Sequence, residues 1–310
     1  MSPDTAAQFY AQAWLATHFL VNTPERAEGF DRYIAALGEG GDPLGAFEPA
    51  FGVTREKFDV ELRTYKRKAM VYTRYGDILA DPDVPMKVER LGRAADDLVM
   101  PCAHLRSGPS AENAAPSVAT IRAQAAVFPD DPYAIRALAL AEIWYGALPK
   151  ARTLLDGLLT RDAENAETHH LSGLCDLRSW YLAPEEALVK CAKSSFAKAD
   201  KLDGARAGSL FRYVECGLLL GENLNAHQLD VLTLAFELAP QVHSIALMLA
   251  QGLMQHARFD EAVMVLRPLT TDLHGGGYAK TAQRLLAEAR QKKFETRIMF
   301  GSAKSLEDDS

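Results

Sequence analysis

The chain has 310 residues, of which 48% are hydrophobic and 24% are charged, and its formal net charge at pH 7 is −7. These values are ordinary for a globular protein of one or two domains with a sizeable core, and they disfavour intrinsic disorder. A negative net charge also argues against a broad nucleic-acid surface, because such surfaces need clustered lysine and arginine. The basic run Lys66-Arg67-Lys68 is therefore interpreted as a solvated helix end.

The cysteines and the N-terminus indicate the compartment. Cys102, Cys175, Cys191 and Cys216 are scattered without a CxxC pair, so neither a zinc ribbon nor a disulfide framework is indicated, and we predict small buried hydrophobes. The N-terminus lacks a basic region followed by a long apolar core, and no segment has the length and apolarity of a membrane span. The sequence as written predicts a soluble cytoplasmic protein, provided that Met1 is the true start.

Residues 1–68 are predicted to form a small helical bundle. Its helices are expected over residues 6–20, 24–37, 44–51 and 55–68. Thr23 and Thr54 are caps for the second and fourth helices, and Pro24 suits a first helical position. The run from Gly38 to Pro43 ends the second helix.

The order of elements in this bundle resembles a known family. The segments YAQAWLATHFL, GFDRYIAAL and GGDPLGAFEPAFGV, followed by a closing amphipathic helix, are similar to the helical tail of bacterial peptidase-MA-like gluzincins (the DUF1570 type). In that family an upstream HExxH helix binds zinc through two histidines and activates water with its glutamate. No histidine of this chain is followed by glutamate, so no catalytic residue is carried over.

Residues 69–90 change character and are predicted to form an extended linker or a small hairpin. Met70 to Tyr75 favour an extended chain, and Pro82 and Pro85 bias their preceding residues away from helix. The helical period returns in residues 91–295. It begins with a divergent hairpin, over residues 91–106 and 117–128, around a Gly-Pro-Ser loop.

The segment 240–269 has the pattern of one helix–turn–helix unit. Apolar or small residues fall three and four apart in both halves, with a turn at Ala257-Arg258. Ala250 and Ala262 lie where two antiparallel helices would approach most closely, and a larger side chain there would overpack the contact. Pro240 to Ala262 spans 22 residues, and so does Pro129 to Ala151.

Residues 129–163 show the period of the array. Pro129 and Ala163 are 34 residues apart, which is the length of a tetratricopeptide (TPR) unit, and the array resembles a TPR repeat protein. Gly173 takes the close-contact position in the next unit. The first helix of the third unit, residues 210–220, fits less well because Glu215 falls where an apolar residue is expected.

The C-terminal part is predicted to close the array. A final helix over residues 278–294 would cover the exposed core of the last repeat, and residues 296–310 are expected to be disordered. The predicted fold is all-α: a small N-terminal helical bundle followed by a right-handed TPR-like stack of about four or five helical hairpins.

Three short motifs invite a chemical interpretation. His169 and His170 are adjacent, so on a helix their imidazoles diverge and do not suit one metal ion. The run of glycines after His274 resembles an esterase oxyanion loop, but no GxSxG elbow accompanies it. The adjacent carboxylates Asp96-Asp97 and Glu185-Glu186 also diverge and do not form an acid–base pair. We predict no catalytic residue, no metal site and no cofactor.

A surface for a partner is the remaining candidate. In a TPR stack the first helix of each pair lines a concave groove, where charged and aromatic side chains could hold an extended peptide or an acidic tail. The candidate binding residues are Tyr133, Arg136, Trp144, His170, Arg178, Tyr181, Gln251 and Gln255. Leu140, Glu167, Leu174, Ser244 and Leu247 lie on the same face. The alternative is that all of these are packing and solvated positions.

The sequence therefore favours a non-catalytic scaffold that binds a peptide or partner protein, with no nucleic acid and no membrane span; it does not indicate the oligomeric state. The alternative is the C-terminal part of a zinc metallopeptidase whose HExxH region lies outside this chain. A further possibility is that residues 1–68 mainly cap the repeats.

Overall fold

The computed structural model describes residues 3–38, 41–67, 88, 90–270 and 276–295. Within these ranges the chain forms fifteen α-helices and no β-strand, which confirms the all-α prediction. The chain divides into two compact units, Met1–Lys87 (unit 1) and Val88–Ser310 (unit 2). The predicted linker at 69–90 lies almost entirely outside the described residues, and the predicted disordered tail at 296–310 lies wholly outside them. No described helix is long and apolar enough to cross a membrane.

Unit 1 contains the four helices that the sequence predicted. They are α1 (Pro3–Asn22), α2 (Pro24–Gly38), α3 (Pro43–Phe51) and α4 (Arg55–Tyr65). Asp42 caps α3 by accepting a hydrogen bond from the Gly45 N–H at 2.7 Å, and the predicted cap Thr54 accepts from Lys57 at 3.3 Å. These caps satisfy N–H groups that have no partner inside the helix.

The core of unit 1 is aromatic. Phe51 is buried, and Phe47 meets Phe58 edge-to-face with ring centroids 5.2 Å apart. Of the aromatic residues Phe9, Trp14 and Phe19 of α1, only Phe19 is buried. Phe9 is 39% exposed and Trp14 is 57% exposed. The helix packs on its neighbours near its C-terminal end, so the N-terminal aromatics remain at the surface of the unit.

Unit 2 is a stack of helical hairpins. Its first helices are α5 (Ala94–Arg106), α7 (Pro132–Tyr145), α9 (Ala166–Leu182), α11 (Ala207–Leu219) and α13 (His243–Gln255). The second helices are α6 (Ala111–Val127), α8 (Leu148–Arg161), α10 (Glu186–Leu202), α12 (Ala226–Leu238) and α14 (Phe259–Thr270). A last helix, α15 (Gly276–Arg290), packs against α14 and α13, where the cap was predicted. The described chain thus has five hairpins and a closing helix.

The first helices lie on the inner side of the stack. Helix α5 packs against α7, and α7 against α9, whereas no two consecutive second helices of the described chain pack comparably. Side-chain hydrogen bonds from His170 and Tyr181 continue this row from α9 to α11. Elements that approach each other more closely lie on the shorter path of a curved stack. We therefore call the surface formed by α5, α7, α9, α11 and α13 the inner face.

The two largest differences from the predicted element boundaries are in α6 and α15. Helix α6 begins at Ala111 and not at Ser117, because Ser110 caps it and Pro116 is accommodated inside the helix. Helix α15 ends at Arg290, before the predicted Phe294. Helix α11 forms in full although Glu215 interrupts its apolar pattern.

Small residues let the paired helices approach each other, as predicted. Ala250 and Ala262 are both fully buried in the last hairpin, and Ala139 and Ala151 are both fully buried in the second. The turn after α13 also occurs at the predicted place. There Ala257 adopts a left-handed backbone with φ of 57°, and the next N–H bonds back into α13 to end it.

Replacing Gly173 with alanine is expected to destabilise the protein by about 1 kcal/mol. A Cβ at this position would lie 2.7 Å from the ring of Phe196, which is fully buried and cannot move aside. Overpacking costs about 1–3 kcal/mol, which outweighs the gain of about 1 kcal/mol in helix propensity.

Gly157 provides the matched control in α8. It is exposed, and a Cβ there would meet nothing within 4 Å. Gly157→Ala should therefore stabilise the protein by about 1 kcal/mol. Urea unfolding of both variants measures the sign of each change in the free energy of unfolding. Stabilisation by both substitutions would contradict the close approach of α9 and α10.

Candidate functional site

The predicted binding residues lie on three first helices of unit 2. Helix α7 carries Tyr133, Arg136 and Trp144; α9 carries His170, Arg178 and Tyr181; α13 carries Gln251 and Gln255. His170, Arg178 and Tyr181 each contact a neighbouring first helix.

His170 joins α9 to α11. Its Nδ1 shares a hydrogen bond of 2.9 Å with the Ser209 hydroxyl, and its ring lies 5.6 Å from that of Phe196. Burial, reinforced by Arg206, lowers the pKa of His170 to about 4, although the nearby Glu167 acts in the opposite direction. His170 is therefore neutral at pH 7, so Arg136 and Arg178 are the only candidate residues that carry a positive charge.

The serine beside this histidine is inaccessible. Ser209 is 0% exposed, in the first turn of α11. A serine nucleophile must be able to reach its substrate. The hydrogen bond between Ser209 and His170 is accordingly a packing contact between two helices.

Arg178 and Tyr181 also link α9 to its neighbours. The guanidinium carbon of Arg178 lies 4.9 Å from the centre of the Trp144 ring on α7, and Arg178 donates to the Trp144 carbonyl at 3.3 Å. Tyr181 donates its hydroxyl hydrogen to Oε1 of Glu215 on α11 at 3.1 Å. A cation over a tryptophan ring contributes about 0.5–2 kcal/mol, so these side chains stabilise the stack itself.

Arg136 stands apart from this pattern. It is half-buried beside Tyr133, and no ion pair or hydrogen bond involves its guanidinium in the part of the chain that the structure describes. Burial raises the pKa of Tyr133, so its hydroxyl remains protonated at neutral pH. Together the two side chains offer a cation and a phenol to a ligand.

The residues of α13 divide into two kinds. Gln251 is 9% exposed and Leu247 is 2% exposed, whereas Gln255 at the end of the helix is exposed. On the preceding helices, Leu140 and Leu174 are also buried. The sequence placed all of these on the inner face, and the structure shows most of them shielded from solvent.

A carboxylate on α9 holds two arginines that sequence reasoning did not select. Glu167 accepts from Arg106 of α5 at 2.9 Å and from Arg206 at 2.6 Å. Burial would raise the pKa of Glu167, but His170, Arg206 and Arg106 outweigh it and lower the pKa. These side chains come from residues 61 and 39 positions away in the chain, so no local spacing signals the cluster.

Arg106 also borders a cavity of about 380 Å³ on unit 2. The wall includes the first residues of α11 and α13, among them Gly208 and Ser244, and Tyr278 from α15. Neither α11 nor α13 has a side-chain cap at its N-terminus. The cavity therefore presents a guanidinium, an aromatic ring and two positively polarised helix ends.

A buried ion pair lies further along α11. Arg212 is 2% exposed and Glu215 is 0% exposed, with Nη1 and Oε2 2.7 Å apart. Glu215 disturbed the apolar pattern because its carboxylate faces Arg212 and the Tyr181 hydroxyl. The misfit in the sequence pattern was the signal for this pair.

The structure also bears on the other motifs. His169 bonds to the Ala163 carbonyl at 2.9 Å while His170 bonds to Ser209, so the two rings point to different partners. Within the described ranges no group of three or more His, Cys, Asp or Glu side chains is arranged to hold a metal ion. Three cysteines are buried as predicted, but Cys191 is exposed, which corrects that prediction. His274 and Gly275 lie outside the described residues.

Comparisons with known proteins give a structural likeness but no family. No family model matches the chain, and no curated protein matches it either. Among solved structures, the chain is similar to a thermophilic TPR protein of Thermus thermophilus. The two share 16% identity and a TM-score of 0.46, over 64% of this chain and 98% of that one. The helical-hairpin description of unit 2 is based on its own helices and their contacts.

Proposed function

We propose that this protein is a non-catalytic scaffold that binds a peptide or a partner protein through the inner face of unit 2. The observation that carries the proposal is the cavity of about 380 Å³, to which α5, α11, α13 and α15 all contribute. A concave site lined by a few polar groups and aromatic rings is typical of ligand recognition.

Arg136 and Tyr133 extend the same surface on α7. A guanidinium that makes no ion pair with the described residues is available to a carboxylate or carbonyl of a ligand. Arg178 is less suitable for this role, since it is already held over Trp144. The proposal therefore places the polar contact at Arg136, whereas Arg106 is held by Glu167 and Arg178 supports α9.

Reversing the charge of Arg136 tests the proposal. Full-length chain is immobilised and incubated with a lysate of its source cells, and captured proteins are quantified by mass spectrometry. Arg136→Glu is expected to reduce capture of the specific partner at least tenfold. Arg161→Glu is the control, because Arg161 is 60% exposed on the second helix α8. Equal capture by the two variants would overturn the proposal.

The zinc-peptidase alternative stays a prediction. Its basis is the order of elements in residues 6–68, and the four expected helices are present in unit 1. Helix positions alone do not identify a peptidase tail, because fold does not specify function. Reading the upstream DNA for an in-frame HExxH is the direct check, and its absence would count against this alternative.

A further inference from the structure

A groove of about 410 Å³ lies between the second helices of the last two hairpins, α12 and α14. Its floor is formed by Leu249 and Leu253 of α13, which are 2% and 3% exposed. Phe236 of α12 lines one wall, and Met264 and Val265 of α14 line the other. We call this cavity the outer groove. None of the candidate binding residues of the inner face lines it, so it is a separate surface of unit 2.

The second helices can be compared position by position because they bury residues at the same spacing. In each of four helices the first residue of the set is followed by buried residues four and seven positions later. That first buried residue is Ala151 in α8, Ala192 in α10, Gln228 in α12 and Ala262 in α14. Residues at the same distance from it are therefore equivalent.

The position directly after the first buried residue distinguishes α12 from α8 and α10. In α8 it is Arg152, whose guanidinium pairs with Asp176 on the next first helix. In α10 it is Lys193, whose ammonium pairs with Glu222 just beyond the next first helix. In α12 it is Leu229, which is 3% exposed and has no polar group to form such a bridge. The outer groove therefore lacks the long cationic side chain that the preceding hairpins place there.

The rim of the outer groove is apolar where other second helices are polar. Met264 is 71% exposed, and Leu234, next to the lining residue Thr233, is 42% exposed. The residues equivalent to Met264 are Thr153, Ser194 and Asp230. Contiguous exposed apolar surface is typical of interaction sites. A small ligand inside the groove would leave the rim side chains in water, so a partner that also covers the rim suits the site better.

The charged groups that line the groove carry an excess of negative charge. Arg258 donates two hydrogen bonds to Glu261, at 2.6 and 2.7 Å, so these two charges neutralise each other. Glu237 also lines the groove; it is exposed and forms no ion pair with the residues that the structure describes. A partner with lysine or arginine beside its apolar side chains complements this arrangement.

We propose that the outer groove binds an amphipathic helix of a partner protein, with its apolar side chains in the groove and its lysines or arginines facing Glu237. Helices bind hydrophobic grooves through anchor residues three and four positions apart. Helices α12 and α14 have 13 and 12 residues. At about 1.5 Å per residue they flank roughly 18 Å of groove, which is enough for about three turns of a bound helix.

This inference goes beyond the proposed function. The inner face offers Arg136 to a carboxylate, whereas the outer groove offers Glu237 to a cation, so the two surfaces select partners of opposite charge. Arg136→Glu should leave binding at the outer groove unchanged. Each proposal can therefore fail without the other.

Fluorescence anisotropy of the full-length chain with two synthetic helical peptides tests the charge of the partner. Both peptides carry leucines three and four positions apart, and their remaining positions are lysine in one and glutamate in the other. Glu237→Lys is expected to weaken binding of the lysine peptide at least fivefold and to strengthen binding of the glutamate peptide. Glu186→Lys makes the same charge change at an exposed residue of α10 and should alter either affinity less than twofold.

Met264→Ser tests the apolar contact at the rim. The dissociation constant of the lysine peptide should rise about fivefold, because the bound helix no longer buries the methionine side chain. Met100→Ser is the matched control, since Met100 on α5 is 75% exposed and Met264 is 71% exposed. This control should change the dissociation constant less than twofold. Circular dichroism checks that all four variants are folded.

Three results would overturn the proposal. One is the absence of saturable binding of the lysine peptide to the unsubstituted chain. Another is an equal effect of Met264→Ser and Met100→Ser, or of Glu237→Lys and Glu186→Lys, which would assign binding to general charge attraction. The last is self-association of the chain that Met264→Ser abolishes, because this would assign the outer groove to a second copy.

Discussion

Replacing Glu215 with alanine is expected to lower the free energy of unfolding by about 3–5 kcal/mol. Glu215 is fully buried on α11 and pairs with Arg212, which is 2% exposed. Without the carboxylate, the Arg212 guanidinium loses the charge that faces it in a medium of low polarity. The hydroxyl of Tyr181 loses its acceptor at the same time. Removing one partner of a buried pair is costly because the remaining charge stays desolvated.

Glu261→Ala is the matched control for this experiment. Arg258 and Glu261 are the same residue types at the same helical spacing, but their side chains are 44% and 51% exposed. Water replaces the lost partner there, so Glu261→Ala should destabilise the protein far less. Urea unfolding at pH 7 measures both variants. Similar losses of unfolding free energy in Glu215→Ala and Glu261→Ala would contradict the structural role of the buried pair.

The second large effect concerns Glu142 and pH. Glu142 is 2% exposed and accepts hydrogen bonds from Arg122, Lys150 and the Ala147 N–H, all at 2.9–3.1 Å. Burial alone would raise the pKa of Glu142, but these donors outweigh it and lower the pKa from 4.5 to about 2. A lowered carboxylate pKa stabilises the folded state at every pH above 4.5. That contribution is lost as the pH falls from 4.5 through 2.

Glu142→Gln is therefore expected to lower the free energy of unfolding by about 2–3 kcal/mol at pH 7. This figure takes about 1.36 kcal/mol for each unit by which the pKa is lowered. It is reduced because the partners Arg122 and Lys150 are half-exposed and solvent screens their charges. The difference between the variant and the unsubstituted chain should narrow between pH 4.5 and pH 2. Glu186→Gln removes an exposed carboxylate that pairs with Lys190 and should have little effect. A stability difference for Glu142→Gln that is independent of pH over this window would show that the pKa is not lowered.

Much of the fold was predictable because it depends on local patterns. The cap at Thr54 and the small pair Ala250 and Ala262 act within one helix or one hairpin, so their spacing is visible in the sequence. Local patterns do not explain Gly146, which follows α7. A Cβ there would lie 1.9 Å from Oε2 of Glu142, so glycine makes room for the buried carboxylate.

The candidate surface was less predictable because its contacts join distant residues. Helical spacing correctly placed His170 and Arg178 on one helix. It did not show that His170 would bond to Ser209, or that Arg178 would lie over the ring of Trp144. Arg106 was not selected, since its importance depends on a cavity shared with α11, α13 and α15. Period and composition give the direction of a side chain; the neighbour that it meets is set by tertiary packing.

The ratio of partner affinities for Arg136→Glu and Arg161→Glu tests the central claim most directly, because the two variants carry the same charge change on the first and second helices of one hairpin. The dissociation constant of the captured partner should rise at least tenfold for Arg136→Glu and less than twofold for Arg161→Glu, a difference of about 1 kcal/mol or more. Equal dissociation constants for the two variants, with both still folded, would contradict binding at the inner face.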